Sequence, residues 1–459
     1  MPRVCVIGLD CLTPQLVFDT FAGSLPNLEA LASAGMAGPL ESCIPPITVP
    51  AWTTMVTSAD PGMLGCYGFR DRADHSYDRR RLASSMTYNG VPIWTLLSRA
   101  GLRCRVLGVP QTYPPKPVKG SMVTGMLTPD TDTDVEFTYP AAMAGDVKAL
   151  CGGYRFDVDE FRTGDKDRVL RDIHAVTAQH FRLARAWVAE KDWDLFMMVE
   201  LGPDRVHHAF WRYAAADHPA HQPGHRFAPA IRDYYVELDR EVGTLIALLD
   251  EDDVVMVVSD HGAQTLHGCI AVNQWLVERG DLVLTTGVGQ PVPFSPDLVD
   301  WSKTRAWADG GYVGRIYFNV EGREPGGIVA ESRVDALARE LRSGLLVITR
   351  PDGTAMQTRV HRPREIYREQ NGVPPDLTIL FDDLAFRAIG SVGHPSIHVP
   401  RNDTGPDDAN HARHGVLILR DERGKRALPM RASLYDIAPT ILGRLGVAIP
   451  DRMIGEELA

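Results

Sequence analysis

Residues 254–262 read VVMVVSDHG. The first six residues show no alternation of polar and apolar side chains, as expected of a strand covered on both faces rather than one facing water. Three other stretches share this character: VCVIGL at Val4–Leu9, and the runs Arg103–Val109 and Leu195–Leu201. Between them lie stretches of helical length, predicted at 91–100, 166–190, 226–250, 329–343 and 434–446. In the third of these, Ile231, Tyr235, Leu238, Val242, Leu245 and Leu248 recur at helical spacing, giving one apolar stripe. Strands alternating with amphipathic helices predict an α/β fold, a doubly wound and mostly parallel sheet with helices on both faces. Residues 285–312, rich in Pro, Gly and Trp, and the Pro-rich stretch 361–376 read as the edges of an insertion. The expected organisation is therefore a core of residues 1–284 and 376–459 with a small inserted cap at 285–375, holding the strand IYFN and the helix 329–343.

The chain has 459 residues, 48 basic and 59 acidic, for a net charge of −11, and 44% of it is hydrophobic. That apolar content suffices for large cores and excludes disorder as the main state. An acidic chain without a long Lys/Arg run is not expected to bind a nucleic-acid polymer. Its apolar runs are of strand length, short of the roughly 20 residues a bilayer requires, so no membrane association is expected. The amino-terminal MPR enters VCVIGL directly, without the pattern of a secretory leader. Seven cysteines (5, 11, 43, 66, 104, 151 and 269) include no CxxC pair and read as buried free thiols, consistent with a cytoplasmic protein. Nothing in the composition indicates an oligomeric state.

In open α/β sheets, ligands bind beyond the carboxyl ends of the strands, so the polar residues that follow the apolar runs carry the functional reading. Asp10 follows VCVIGL and is either a helix N-cap or a site carboxylate. Asp260-His261-Gly262 follows VVMVVS; capping needs only one side chain, so the pair points to a ligand role. Leu195–Leu201 leads into GPDRVHH, where Gly-Pro suits a helix start. Asp204 and His208 then lie four apart on one helical face, either as a surface pair or as ligands to one cation, while His207 points about 100° away. Near the carboxyl end, NHARHG at 410–415 offers His411 and His414. Hard carboxylates with imidazoles and no thiolate suit zinc or manganese in an open site. Two divalent ions with three carboxylates leave a positive site that attracts an anion such as phosphate. Residues 43–60 read CIPPITVPAWTTMVTSAD, which places Thr48 at a helix N-terminus, as an N-cap or as an alkoxide nucleophile facing an anion. Arg70, in GCYGFRD, either pairs with Asp71 or holds a substrate phosphate or carboxylate. Trp52, Tyr113, Phe210 and Trp211 are candidates for pocket or core.

Taken in order, Asp10, Thr48 in PPITVPAWTTMVTS, Asp204…His208, Asp260-His261-Gly262 and a late His resemble the alkaline phosphatase superfamily. Within it they resemble the type I phosphodiesterase/nucleotide pyrophosphatase group and its bacterial predicted phosphohydrolases. The stretches at 93–115, 204–213, 259–276, 314–329 and 434–458 extend the resemblance over nearly the whole chain. It implies two metal sites, one of Asp204, His208 and His411, the other of Asp10, Thr48, Asp260 and His261. It also implies Thr48 as nucleophile, a phospho-threonine intermediate, a small-molecule phosphoester substrate and two divalent ions, Zn²⁺ or Mn²⁺. The spacing His411-x-x-x-Gly415 selects His411, whereas a His directly before Gly would select His414. Val49, Pro50 and Ala51 stand where nucleotide pyrophosphatases carry an aromatic and a Pro-Asn. Cys43-Ile-Pro45-Pro46-Ile47 lacks the Arg of the sulfatase motif. The alternatives are a phosphomutase of the same superfamily and a non-catalytic phospholigand-binding protein.

Overall fold

The computed structural model describes residues 2–130 and 135–459. Its centre is an eight-stranded sheet in the order Met36–Glu41, His414–Arg420, Val254–Val258, Val4–Leu9, Leu195–Glu200, Cys104–Leu107, Gly120–Val123, Thr138–Tyr139. The five strands from Val254–Val258 to Gly120–Val123 run parallel, and antiparallel strands close both sides. The doubly wound, mostly parallel sheet expected from the sequence is the one observed. All four apolar runs form adjacent strands, with register pairs such as Val4↔Leu195 and Val4↔Val254.

Each central strand is buried on both sides because alternate residues enter different cores. Cys5, Ile7 and Leu9 pack with Phe196, Met198, Val255 and Val257 beneath the helices Lys166–Ala189, Gly202–Ala214 and Ala230–Ile246. Val4 and Val6 pack with Met197, Val199 and Met256 on the opposite side, against Thr48–Thr57, Ile93–Arg99 and Ile437–Arg444. The strand from Cys104 stops before Gly108, whose φ of 70° turns the chain out of the sheet. The third helix starts at Ala230, later than the periodicity suggested, with Pro229 as its N-cap.

A third apolar cluster spans Ile270 to Val392. It is built on an antiparallel sheet in the order Ala306–Asp309, Gly314–Phe318, Leu377–Leu380, Arg359–His361, with the helix Val334–Leu346 contributing Leu337, Leu341 and Leu345. Among the described residues no helix is long and apolar enough to cross a membrane.

Gly8 has a packing duty next to the site. A Cβ there would lie 2.6 Å from the Trp52 ring and 2.7 Å from the Met198 carbonyl oxygen. The missing side chain leaves room for the Trp52 ring, whose Nε1–H reaches Asp10. Gly8→Ala is expected to lower stability by about 2 kcal/mol through overpacking, measured as a shift in the urea midpoint.

Candidate metal centre

The parallel strands end on one edge of the sheet, and the polar residues that follow them converge there. Asp10 comes directly after the strand Val4–Leu9, its N–H bonded to the Glu200 carbonyl at 2.9 Å. It caps no helix; its Oδ2 accepts the Trp52 Nε1–H at 2.6 Å. Cys11 then takes a left-handed conformation (φ 63°), and its N–H reaches Asp260 Oδ1 at 3.1 Å. Ser259, at the end of the neighbouring strand, accepts from Leu12 N and donates to the His261 carbonyl, tying the two loops together. Asp204 and His208 sit in the first two turns of Gly202–Ala214, with Asp204 Oδ1 3.2 Å from His208 Nε2. His411 lies on Ala409–Ala412, whose antiparallel pairing with Gly262–Thr265 sets it opposite Ala263 and brings its Nε2 within 3.6 Å of Asp204 Oδ1. His208 and His411 face each other at 3.4 Å between their Nε2 atoms. Ile47, not Thr48, is the N-cap of Thr48–Thr57, so Thr48 lies within the first turn, and its Oγ1 is 3.4 Å from His261 Nε2.

Thus the structure brings Asp10, Thr48, Asp204, His208, Asp260, His261 and His411 into one buried volume. Donor atoms fall into two close groups, Asp204/His261/His411 and Asp10/Asp260/His261, with His261 common to both. His414 is exposed on the edge of the strand His414–Arg420 and points away from this volume. His207 is buried on the far side, bonded to the Tyr235 hydroxyl at 3.0 Å, and burial pushes its pKa down to about 3.

The chemistry of the set is one-sided. Each imidazole is held through Nδ1 by an oxygen: His208 by Asp407 at 2.6 Å, His411 by the Pro46 carbonyl at 2.8 Å, and His261 by the Gly262 carbonyl at 3.2 Å. With Nδ1–H donating, the three Nε2 lone pairs turn inward. Asp10 Oδ1, Asp204 Oδ1 and Asp260 Oδ2 are buried with no hydrogen-bond partner among the described residues. Three unpartnered carboxylate oxygens beside three inward imidazole nitrogens fit divalent cations. Electrostatics report the same strain. Burial, then the charges of Asp260 and Asp204, hold Asp10 well above the usual carboxylate range. Burial opposes charge on His208 too, yet Asp407 and Asp204 outweigh it and raise its pKa.

Several residues the sequence did not single out complete the arrangement. Asp407 receives Arg162 Nε at 2.9 Å and Arg387 at 2.6 Å on Oδ2 while holding His208 on Oδ1. Arg205 donates to both Asp204 and Asp157. Tyr312 stacks on His411 with ring centroids 3.7 Å apart. The acidic pair four residues ahead of His411 was the only local signal for Asp407, and nothing nearby in sequence directs it at His208. Trp52, a candidate for pocket or core, serves as donor to Asp10, whereas Phe210 and Trp211 belong to the core. Arg70 is exposed and not paired with Asp71, whose carboxylate accepts from Tyr67 N and Arg315. Asp407→Asn should cost about 3 kcal/mol, since it leaves the buried Arg387 and the half-buried Arg162 short of a counter-charge; denaturant unfolding of the two forms measures it.

Among solved structures, human ectonucleotide pyrophosphatase/phosphodiesterase 5 superposes with a TM-score of 0.57 at 13% identity, covering 98% of this chain and 96% of that one. Phosphonoacetate hydrolase from Sinorhizobium meliloti superposes with a TM-score of 0.61 at 16% identity, covering 97% and 96%. Both likenesses are of fold. No curated protein matches the chain in sequence. The family model for type I phosphodiesterase/nucleotide pyrophosphatase matches residues 4–416, from the first strand through His411 to the last strand of the sheet. The chain therefore belongs to the type I phosphodiesterase/nucleotide pyrophosphatase family, enzymes that hydrolyse phosphoric esters within the alkaline phosphatase superfamily.

Proposed function

We propose that this protein is a two-metal phosphoester hydrolase of small molecules with Thr48 as its nucleophile. The observation that carries this reading is the cluster of inward-facing acceptors beside the Thr48 hydroxyl. Asp204, His208 and His411 would hold one divalent ion and Asp10, Thr48, Asp260 and His261 the other, with Zn²⁺ preferred and Mn²⁺ the alternative. When bound, these ions neutralise the phosphoryl oxygens and lower the pKa of the threonine hydroxyl. Thr48 Oγ1 forms the new bond to phosphorus as the bond to the leaving oxygen breaks, and water then cleaves the phospho-threonine to regenerate the hydroxyl. The helix Thr48–Thr57 begins without a side-chain cap, so its first N–H groups and dipole are available to the anion. Arg70 belongs to the substrate-binding side, and residues 285–375 form the cap over it. The seven buried free cysteines accord with a reducing, cytoplasmic setting.

Thr48→Ala is expected to reduce kcat at least about 1000-fold; full activity in that variant would remove the nucleophile. Metal analysis of active protein should return two equivalents of transition metal per chain, and fewer would remove the two-ion reading. His411→Ala should lower that content while His414→Ala leaves it unchanged. A panel of a phosphomonoester, a phosphodiester, a nucleotide pyrophosphate and phosphonoacetate, in Zn²⁺ and in Mn²⁺, identifies the ester class. Release of free phosphate from the monoester or phosphonoacetate, or of a phosphomonoester from the diester or pyrophosphate, is expected, and phosphosugar isomerisation without release would favour the phosphomutase alternative.

A further inference from the structure

A cavity of about 590 Å³ opens beside the candidate centre, between Ile47, which precedes Thr48, and Tyr312, which stacks on His411. We propose that this cavity receives a second anionic group of the substrate, a carboxylate or a further phosphoryl group; the inference rests on the hydrolase reading above. The lining holds five arginines (Arg70, Arg162, Arg205, Arg315 and Arg387) against one acid, Asp157.

These arginines are not all neutralised. Arg205 is fully engaged with Asp157 and Asp204, and Arg315 lies 3.3 Å from Asp71. Arg162 and Arg387, however, share the single carboxylate of Asp407, which also serves His208. Arg387 is only 5% exposed, and its Nε has no hydrogen-bond partner among the described residues. Arg70 makes no ion pair among the described residues. Arg70 and Arg162 present accessible guanidinium groups to the cavity, and a bidentate anion is the ligand whose shape meets them.

Two of the three aromatic rings that line the cavity, Tyr312 and Phe161, already carry cations. Tyr312 has His411 stacked at 3.7 Å and the Arg387 guanidinium over its ring at 4.4 Å. Phe161 carries Arg205 at 4.4 Å and Arg162 at 4.6 Å. A flat base would have to displace these cations before stacking on either ring, so this wall of the cavity suits a charged group.

Calorimetric titration of the zinc-loaded protein tests this with four probes: 3-phosphonopropionate, methylenediphosphonate, ethylphosphonate and thymidine 5′-monophosphate. At least one of the first two should bind about 10-fold or more tightly than ethylphosphonate, and the better one identifies the second group as carboxylate or phosphoryl. Arg70→Ala and Arg387→Lys should each shrink that ratio; the first is a surface change that leaves the fold intact. Equal binding of all phosphonates would overturn the proposal, as would a ratio unchanged in both variants, which is the mark of metal chelation alone. Tightest binding of the thymidine nucleotide would also overturn it. If the ratio holds but no phosphoester is cleaved, the cavity assignment stands and the hydrolase reading fails. Cleavage through Thr48 with a ratio near one removes the cavity assignment and leaves the hydrolase reading in place.

Discussion

Three carboxylate oxygens without a hydrogen-bond partner among the described residues face three imidazole Nε2 atoms in one buried volume. Uncompensated like charges in a protein interior are expensive, and their cost is met by protons or by cations. The rest of the site serves to keep these acceptors in place against their mutual repulsion. Asp10 is held by Trp52, Asp260 by the Cys11 N–H, His208 by Asp407 and His411 by the Pro46 carbonyl. Each restraint comes from behind, leaving the inward atom open.

Topology explains how residues some 400 positions apart meet there. Three adjacent parallel strands, Val254–Val258, Val4–Leu9 and Leu195–Glu200, end at one edge and deliver Asp260, Asp10 and the Asp204 helix side by side. The strand Ala409–Ala412 does not belong to that sheet; it pairs with Gly262–Thr265 and so carries His411 back over the loops. The bare Gly8 lets Trp52 cross beneath. A sheet of this kind fixes positions better than a loop cluster would, because Asp10, Asp260 and the helix bearing Asp204 each follow a hydrogen-bonded strand end.

The cluster of inward carboxylates and imidazoles and the arginine-lined cavity meet at Tyr312, which stacks on His411 and carries the Arg387 guanidinium over its ring. Asp407 joins them as well, since one carboxylate serves His208 and two arginines. Fold likeness at 13% and 16% identity says nothing about what occupies that wall.

Much of this was legible from the chain alone. Continuous apolar runs gave the buried strands, because a strand covered on both faces has no polar position to spare. Asp and His directly after those runs gave the candidate ligands, because parallel strand ends share an edge. The Pro-bracketed Thr48 gave the start of its helix. What local sequence left open was decided by long-range packing. His411 and His414 are three residues apart on adjoining strands, and only the pairing with Gly262–Thr265 turns one inward and the other to solvent. Asp407, Tyr312 and Arg387 carry no local motif, because their roles depend on partners about 20 to 250 residues away. Periodicity and spacing record which way a side chain points from its own element; they hold no information on which distant side chain it meets.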